Sequence, residues 1–563
     1  MCEVSAQNFP ALFPEIKGRL GAARFVALDL EFSALNPRPE HLPSIFDSPD
    51  VRYAKLRLGL EGVVPLQVGL TAFTFDSALN SYSAHSFSFH VQPAAFQGVN
   101  RCFLLQTSSL AFLKLHNFDF NKFAYGGVPF INRRQEQGLR ELMGQDQLSE
   151  LSASNAQEIA EIVSREGARV AAWLKRAQPG QELALADVPP DEEVRFFVQR
   201  ALRARFAPLW TCVHNGELRV QCVTADEFAA LDAAQPLEEA LLEGLLGFAR
   251  VLRLLAELRV PLVGHNLLQD LLLVVACFEQ PLPESYSAFK RVVQALFPQV
   301  FDTRLISHKV RMAQPEAQRW NDRCLQTMFE FFQQGAARGG NAPSVVLAGA
   351  QDSPAQFHNA AWDSYCTGYA FIQLAHMNIS GRYPKAKQFV SSELLAGLRP
   401  FENRINLIRC SVPCMNLAGA DPDSTRPPHL VIEARKNSPL NVRQRLFVGA
   451  PAGDRAAEPL RLRGGAQAAP APHGTDRLRQ PRQRQTHPAG AAPPSPVPDW
   501  AVRGLEALPI GAAAAAGGVD GVRRPVAVAA APCGQPPWSP ASPRLSAPVT
   551  QDQEGRFGDA HDR

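Results

Sequence analysis

The chain has 563 residues, 46% hydrophobic and 20% charged, which is enough to bury a large core and to form more than one domain. Its formal net charge of +3 excludes a uniformly basic nucleic-acid-binding protein, so any basic groove must be local. Ten cysteines without paired Cys-x-x-Cys motifs predict reduced thiols rather than a zinc site, and the absence of a run of about eighteen apolar residues predicts no membrane span.

The amino-terminal part of the chain predicts the strands of an α/β domain. Phe25–Phe32 is a short apolar run interrupted by Asp29 and Glu31, which is typical of a buried strand that carries a site. Residues 63–75 predict a second strand, and the alternating residues 82–91 predict a third.

The middle of the chain changes character and then becomes rich in leucine. Residues 156–235 contain two helical stretches and a strand-like segment, enough for a small inserted domain. A Leu-rich pattern from Pro236 through Leu258 predicts one long helix. Buried helices are predicted at Leu267–Glu279 and Trp362–Met377.

The carboxyl-terminal part loses this periodicity. Residues 399–443 contain two apolar strand-like pieces and predict an extension or a partial RRM-like domain. After about Arg443, Pro, Ala, Arg and Gly dominate, so residues 444–563 are predicted to be disordered because they bury too little apolar surface.

Asp29 and Glu31 are the first candidate site residues. Two positions apart on a strand, their side chains project from the same face. Two neighbouring carboxylates repel each other, and a bound divalent cation such as Mg²⁺ or Mn²⁺ removes that repulsion. The alternative is a half-exposed strand whose polar face happens to contain two acids.

Asp270 is an acid within a strongly apolar segment. It follows Asn266 by four residues, which predicts that both lie on one face of a helix. A buried carboxylate needs a partner, and metal binding and an ion pair or backbone cap are equally open. Asp302, at a predicted strand end, is interpreted as structural or as a residue that supports the site residues from behind.

His358 and Asp363 lie five residues apart, which predicts a histidine before a helix and an aspartate inside it. The near-neutral pKa of histidine suits a base that accepts a proton from water, although a surface histidine at a helix start is the alternative. Together the five residues supply four carboxylates for two divalent cations and one imidazole.

The order Asp-x-Glu, Asn-x-x-x-Asp, His-x-x-x-x-Asp resembles the pattern of the DEDDh exonucleases, which have an RNase H-like α/β fold. From about Asn8 to Arg443 the chain is similar to their poly(A)-specific ribonuclease (PARN) branch. The blocks that carry this similarity are Asp29–Ser33, Phe46–Pro49, Arg52–Leu56, Gln67–Leu70, Phe118–Lys122, Gly127–Phe130, Gly264–Asn266 and Phe301–Thr303. Pro281–Lys290 and Arg426–Ile432 resemble the group that trims precursors of PIWI-interacting RNAs.

The resemblance implies a 3′-to-5′ exoribonuclease that uses two Mg²⁺, or Mn²⁺, and releases nucleoside 5′-monophosphates. By the family pattern, Asp29 would bridge both metals, while Glu31 and Asp363 complete the nucleophile side. Asp270 would serve the leaving-group side, and His358 would deprotonate water.

The resemblance also implies a domain organisation. The nuclease core would consist of residues 1–155 and 236–398. The insert at 156–235 would stand where the family has a small RNA-binding domain, but it lacks the Arg-x-x-x-His motif of that domain. The extension at 399–443 and the tail would follow.

Substrate contacts, partners and localisation are further expectations. Phe32 is a candidate for stacking on a terminal base, with core packing as the equal alternative, and Asn266 lies in a family block. The cations of Lys122, Lys290 and Arg291 are candidates for phosphate contacts, with solvated surface as the alternative.

The implied partners are a single-stranded RNA 3′ end, a PIWI protein, a Tudor-domain scaffold and a second copy of the chain. The implied location is the cytoplasm, at the surface of the endoplasmic reticulum or of the outer mitochondrial membrane, with the nucleus open. Two other functions stay open: a poly(A) deadenylase and a catalytically silent RNA-binding scaffold.

Overall fold

A computed structural model describes residues 1–424 except 36, 145–155, 215, 323, 336–341, 350–355 and 387, together with two short strands further on. The chain divides into two compact units, Met1–Arg426 and Pro427–Arg563. In the second unit the strands Val431–Ile432 and Val526–Ala527 pair antiparallel. The tail predicted at 444–563 otherwise lies outside the described residues.

The strands of the first unit are β1 (Cys2–Val4), β2 (Phe25–Phe32), β3 (Pro65–Asp76), β4 (Ser81–Pro93), β5 (Val128–Phe130), β6 (Glu182–Leu185), β7 (Leu209–His214), β8 (Glu217–Cys222), β9 (Leu262–Gly264), β10 (Val300–Asp302), β11 (Ser344–Leu347), β12 (Arg404–Asn406) and β13 (Cys414–Asn416). The helices are α1 (Phe9–Ala22), α2 (Pro49–Gly59), α3 (Thr107–Leu115), α4 (Phe120–Gly126), α5 (Arg133–Gly144), α6 (Ala156–Leu174), α7 (Glu192–Arg205), α8 (Ala225–Ala234), α9 (Leu237–Leu246), α10 (Ala249–Leu258), α11 (Leu268–Val274), α12 (Tyr286–Leu296), α13 (Thr303–Met312), α14 (Leu325–Gln333), α15 (Ala360–Ser380) and α16 (Ser391–Gly397).

One mixed sheet organises this unit, in the order β1-β4-β3-β2-β9-β10-β12-β13, with β5 and β11 also paired to β4. Strand β3 pairs antiparallel with both β2 and β4, whereas β2, β9 and β10 run parallel to one another. Helices pack on both faces, and the predicted α/β fold class is confirmed. None of the helices in the described ranges combines the length and hydropathy needed to span a bilayer.

The alternation of side chains along β2 separates the two faces of the sheet. Val26, Leu28 and Leu30 enter the core cluster that also contains α1, α10, α11 and α12. Phe25 and Ala27 enter the opposite cluster, which contains α13, α14 and α15. Because side chains repeat every second residue, Asp29 and Glu31 continue the row of Phe25 and Ala27 toward α15.

Helix α15 approaches the sheet at two glycines. A Cβ on Gly69 of β3 would lie 1.9 Å from the carbonyl oxygen of Ala360 at the start of α15. A Cβ on Gly368, further along α15, would lie 2.1 Å from the ring of Phe73. Glycine at both places lets the helix and the sheet come into direct contact, which sets the height of the first turn of α15 above β2 and β3.

The prediction of one long helix from Pro236 through Leu258 is wrong. The segment forms α9 and α10, separated at Gly247, whose φ is +38°. The backbone of Gly247 abuts Pro129, since a Cβ there would lie 2.1 Å from the Pro129 carbonyl oxygen. The next residue, Phe248, donates its N–H to the same oxygen at 3.0 Å. A tertiary contact with β5 therefore breaks a sequence that is locally helical.

The described residues of the segment 156–235 contain a second sheet. Strands β6, β8 and β7 pair antiparallel in that order, and helices α6 and α7 bury their own apolar cluster against them. Of the segment 399–443, residues 399–424 and 431–432 are described, and in the first of these ranges β12 and β13 extend the main sheet beyond β10. The domain boundaries stay predictions.

Substituting Gly69→Ala is expected to destabilise the fold by at least about 2 kcal/mol, because its new methyl group overlaps the backbone of α15. Gly18→Ala is the matched control, since nothing lies within 4 Å of a Cβ at this exposed position in α1. The control is expected to stabilise by about 0.5 kcal/mol, as alanine does for glycine inside helices. Urea denaturation of both variants measures the difference, and equal free energies of unfolding would contradict the close approach.

Candidate active site

Strand β2 presents Asp29 and Glu31 side by side and half-buried. Their partners on β3 are Gly69 opposite Asp29 and Gln67 opposite Glu31, and the register shifts between Glu31 and Phe32. The two carboxylates therefore sit where β2 leaves regular pairing, beneath the start of α15.

A row of polar side chains on β3 and β4 anchors that start. The side-chain oxygen of Gln67 accepts the N–H of Ala360 at 3.0 Å. The hydroxyl of Ser86 donates to the carbonyl of Ala361 at 2.8 Å, and the hydroxyls of Thr71 and Ser364 lie 2.7 Å apart. These buried hydrogen bonds fix the first turn of α15 against the sheet, so the side chains of that turn have defined positions relative to β2.

His358 and Asp363 occupy the approach to α15 and its first turns. His358 has φ of +67°, in the left-handed region that non-glycine residues rarely adopt. Its backbone N–H donates to Oδ2 of Asp363 at 2.9 Å, and Asn359 between them caps the helix by accepting the N–H of Ala361 at 3.1 Å. One ligand atom from each of Glu31, His358 and Asp363 lies within 4.8 Å of the others.

Asp270 reaches the same place from α11. It is buried, and its carboxylate lies close to the backbone of Leu30, between the two acids of β2. Asp29 experiences the charges of Asp363, Asp270 and Glu31, so the structure brings all four acids together.

Asp302, which the sequence indicated as structural, fixes the turn before α11. Its fully buried carboxylate accepts the backbone N–H groups of Asn266 at 2.9 Å and of Leu267 at 3.1 Å. It also accepts those of Arg304 at 2.9 Å and of Asn406 at 3.0 Å.

The prediction that Asn266 shares a helix face with Asp270 is wrong. Asn266 lies before α11 with φ of +60°, where Asp302 holds its backbone. Its side-chain oxygen accepts a hydrogen bond from the amide of Asn406 at 3.1 Å.

Burial raises the pKa values of all four acids, and repulsion by the other acids adds to it at Asp29 and Glu31. Desolvation, followed by the charges of neighbouring acids, holds the pKa values of Asp29 and Glu31 well above their ordinary range. Desolvation raises the pKa of Asp270 to about 8 and the pKa of Asp363 to about 7. Such a group of carboxylates is costly to ionise without a compensating positive charge.

The donor set fits a divalent cation. Oδ1 of Asp363 is buried and has no hydrogen-bond partner among the described residues, while Oδ2 takes the N–H of His358. An uncompensated buried carboxylate oxygen is unfavourable, and hard cations such as Mg²⁺ and Mn²⁺ bind such oxygens. Asp29, Glu31, Asp270 and Asp363 are the residues that would hold the cations.

His358 is neutral at physiological pH. Burial, followed by the charge of the neighbouring His116, lowers its pKa to about 4. A neutral imidazole has a free nitrogen lone pair and can accept a proton from water. The ring of His116 was not anticipated from the sequence, because no spacing rule connects α3 with a loop so distant in the chain.

The remaining predicted contacts lie in other surroundings. Phe32 packs against the core cluster on the α11 face of the sheet, as its core-packing alternative expects. Lys122 pairs with Glu3 at 2.6 Å, and Lys290 pairs with Asp421 at 2.9 Å. Arg291 is exposed on α12. Phosphate contacts by these three cations stay predictions.

The chain is similar to several known proteins. Residues 4–371 match the model of the CAF1 family ribonucleases. A pre-piRNA 3′-exonuclease trimmer from Bombyx mori is 31% identical over 449 residues, which are 78% of this chain and 83% of that protein. Poly(A)-specific ribonuclease PNLDC1 from Mus musculus is 28% identical over 77% of this chain and 83% of its own length. Poly(A)-specific ribonuclease PARN from Homo sapiens is 28% identical over 74% of this chain and 68% of its own length.

Among solved structures, Pop2p from S. pombe in its Mg²⁺- and Mn²⁺-bound form is 14% identical, with a TM-score of 0.33. The alignment covers 68% of this chain and 92% of that chain.

Divalent cations are expected to stabilise the protein more at pH 8 than at pH 6. The pKa of Asp270 rises from 3.8, the value of an unperturbed aspartate, to about 8 in the folded chain, and that of Asp363 rises from 3.8 to about 7. Below about pH 4 both carboxyls are protonated in the folded and in the unfolded chain, so without metal they do not change the free energy of unfolding with pH. As the pH rises toward 7 and 8, the unfolded chain ionises them more easily than the folded chain, and the free energy of unfolding decreases. Cations that bind the ionised form restore this loss.

Melting temperatures with and without Mg²⁺ at both pH values measure this effect. Asp363→Asn is expected to reduce both the change of the melting temperature with pH and its increase with Mg²⁺. Asp423→Asn, at an exposed position, is expected to change neither. A gain with Mg²⁺ that is the same at both pH values in wild type and Asp363→Asn would contradict the site.

Proposed function

Because the chain belongs to the CAF1 family of ribonucleases and is a 3′-to-5′ exoribonuclease of that family, as its motifs predicted, we propose that it trims single-stranded RNA from the 3′ end by metal-assisted hydrolysis. The observation that carries the proposal is the convergence of four acids and one neutral histidine on one face of β2. Water attacks the terminal phosphorus, the bond to the 3′ oxygen breaks, and a nucleoside 5′-monophosphate leaves.

Asp29, Glu31, Asp270 and Asp363 would hold two divalent cations, Mg²⁺ or Mn²⁺, in this proposal. When bound, the cations stabilise the negative charge that develops on the phosphate and on the departing 3′ oxygen. The chain contributes the positions of its carboxylates, because α15 is hydrogen-bonded to β3 and β4 and Asp302 holds the turn before α11. Oδ1 of Asp363, for which the described part of the chain offers no hydrogen-bond partner, supports this assignment.

His358 would accept the proton of the attacking water. Its ring is close to the carboxylates of Glu31 and Asp363, and its lowered pKa keeps it unprotonated at neutral pH. The hydrogen bond from its backbone to Asp363 links the base to an acid of the site.

Precursors of PIWI-interacting RNAs are the substrates that we propose first. The similarity to the Bombyx mori trimmer supports this choice, and a PIWI protein that carries the RNA and a Tudor-domain scaffold are the corresponding proposed partners. A cytoplasmic location beside the endoplasmic reticulum or mitochondria and a homodimer belong to the same proposal. Deadenylation of poly(A) is the second candidate, supported by the similarity to PARN. A catalytically silent scaffold is disfavoured because all five site residues are present.

The purified chain with Mg²⁺ is expected to convert a 5′-labelled single-stranded RNA into a ladder of shorter products. The same RNA labelled at its 3′ end should release labelled mononucleotide at once. Asp29→Asn is expected to slow cleavage at least about a hundredfold, since it removes several kcal/mol of charge stabilisation. Asp423→Asn serves as the control with normal activity. An intact RNA with wild type, or equal rates for Asp29→Asn and wild type, would refute the nuclease proposal.

Mixed-sequence RNA and oligo(A) of equal length distinguish the two candidate substrates. A trimmer must remove nucleotides with any of the four bases, and stacking and phosphate contacts tolerate any sequence. The cleavage rates of the mixed-sequence RNA and of oligo(A) are therefore expected to agree within about threefold. Single-turnover rates on both RNAs provide the measurement. A preference for oligo(A) of more than about tenfold, which corresponds to about 1.4 kcal/mol, would favour deadenylation instead.

A further inference from the structure

A cluster of three rings stands beside the proposed base. The ring of His116 lies 4.0 Å from the ring of His358, centroid to centroid, at an interplanar angle of 54°. Phe112, one turn earlier on α3, meets His358 edge-on at 4.7 Å and meets His116 at 4.5 Å. The imidazole of His358 is therefore contacted by two rings from the carboxyl-terminal turn of α3.

Hydrogen bonds connect the backbone of His116 both to α3 and to the loop that precedes His358. Its backbone N–H donates to the carbonyls of Phe112 at 3.2 Å and Leu113 at 3.1 Å, which closes the end of α3. Its carbonyl accepts a hydrogen bond from the side chain of Gln356, two residues before His358. The end of α3 and the loop that carries the base are thus joined by a hydrogen bond from a side chain to a backbone carbonyl as well as by ring contacts.

His358 depends on such contacts for its orientation. Its backbone is in the left-handed region and hydrogen-bonded to Asp363, which constrains the Cα–Cβ direction. The two side-chain torsions depend on the groups around the ring, which include Phe112 and His116. Proton transfer needs the accepting nitrogen within about 3 Å of the proton that it removes, so a rotated ring is ineffective.

We infer that His116 is a positioning residue, whose ring packs against the imidazole of His358 and holds it in the orientation that accepts a proton from water. This inference rests on the proposed nuclease function. His116 is half-exposed and, as a positioning residue, acts through its contact with the ring of His358. Its effect is therefore on the chemical step rather than on RNA binding.

The test compares His116→Ala with His116→Phe in the full chain, with Leu115→Ala as the matched control on the same helix, because Leu115 is 75% exposed. His116→Ala is expected to lower kcat by about 10- to 100-fold, as small misplacements of catalytic groups do, with KM within about twofold of wild type. His116→Phe keeps a ring in place and is expected to retain kcat within about threefold of wild type. Melting temperatures of all variants separate misfolding from misplacement.

Two results would overturn the inference: His116→Ala with the kcat of wild type, or His116→Phe as impaired as His116→Ala. The ring contact is also tested without catalysis, through the side-chain NMR signal of His358 in histidine-labelled protein, assigned by its loss in His358→Ala. This signal is expected to shift and broaden in His116→Ala and to be unchanged in Leu115→Ala. An unmoved signal in His116→Ala rejects the contact, whereas wild-type protein that leaves RNA intact rejects the nuclease proposal alone.

Discussion

The repulsion among four carboxylates is the constraint around which this fold is arranged. Asp29 and Glu31 lie on β2, Asp270 on α11 and Asp363 on α15. The charges of these acids nevertheless act on one another. Burial makes their charges harder to sustain, which is why their pKa values rise. A folded chain holds such a group only if other interactions fix the backbone that carries it.

Those interactions are buried polar contacts between the sheet and the two helices. Gln67, Thr71 and Ser86 bind the first turn of α15, and Gly69 lets its backbone touch β3. Asp302 collects four backbone N–H groups and so fixes the turn into α11. The folded core and these hydrogen bonds hold the four carboxylates close together despite their repulsion. Bound cations would relieve the repulsion that remains.

The strand with the first two acids could be predicted from the sequence, because an apolar run with polar residues two positions apart indicates a strand without knowledge of the rest of the chain. Strand β2 spans Phe25–Phe32 as predicted, and α15 begins close to its predicted start. The break at Gly247 and the left-handed Asn266 depend on contacts with Pro129 and Asp302, which no local pattern reveals. The ring of His116 was missed for the same reason: its contact with His358 joins two segments that are distant in the chain.

Crystals of the chain grown with Mn²⁺ provide the most direct test of the central claim, because anomalous scattering locates manganese independently of the protein atoms. The account predicts two anomalous peaks among the carboxylates of Asp29, Glu31, Asp270 and Asp363, one of them within bonding distance of Oδ1 of Asp363. Crystals that contain Mn²⁺ elsewhere but show no peak among these four acids would contradict it.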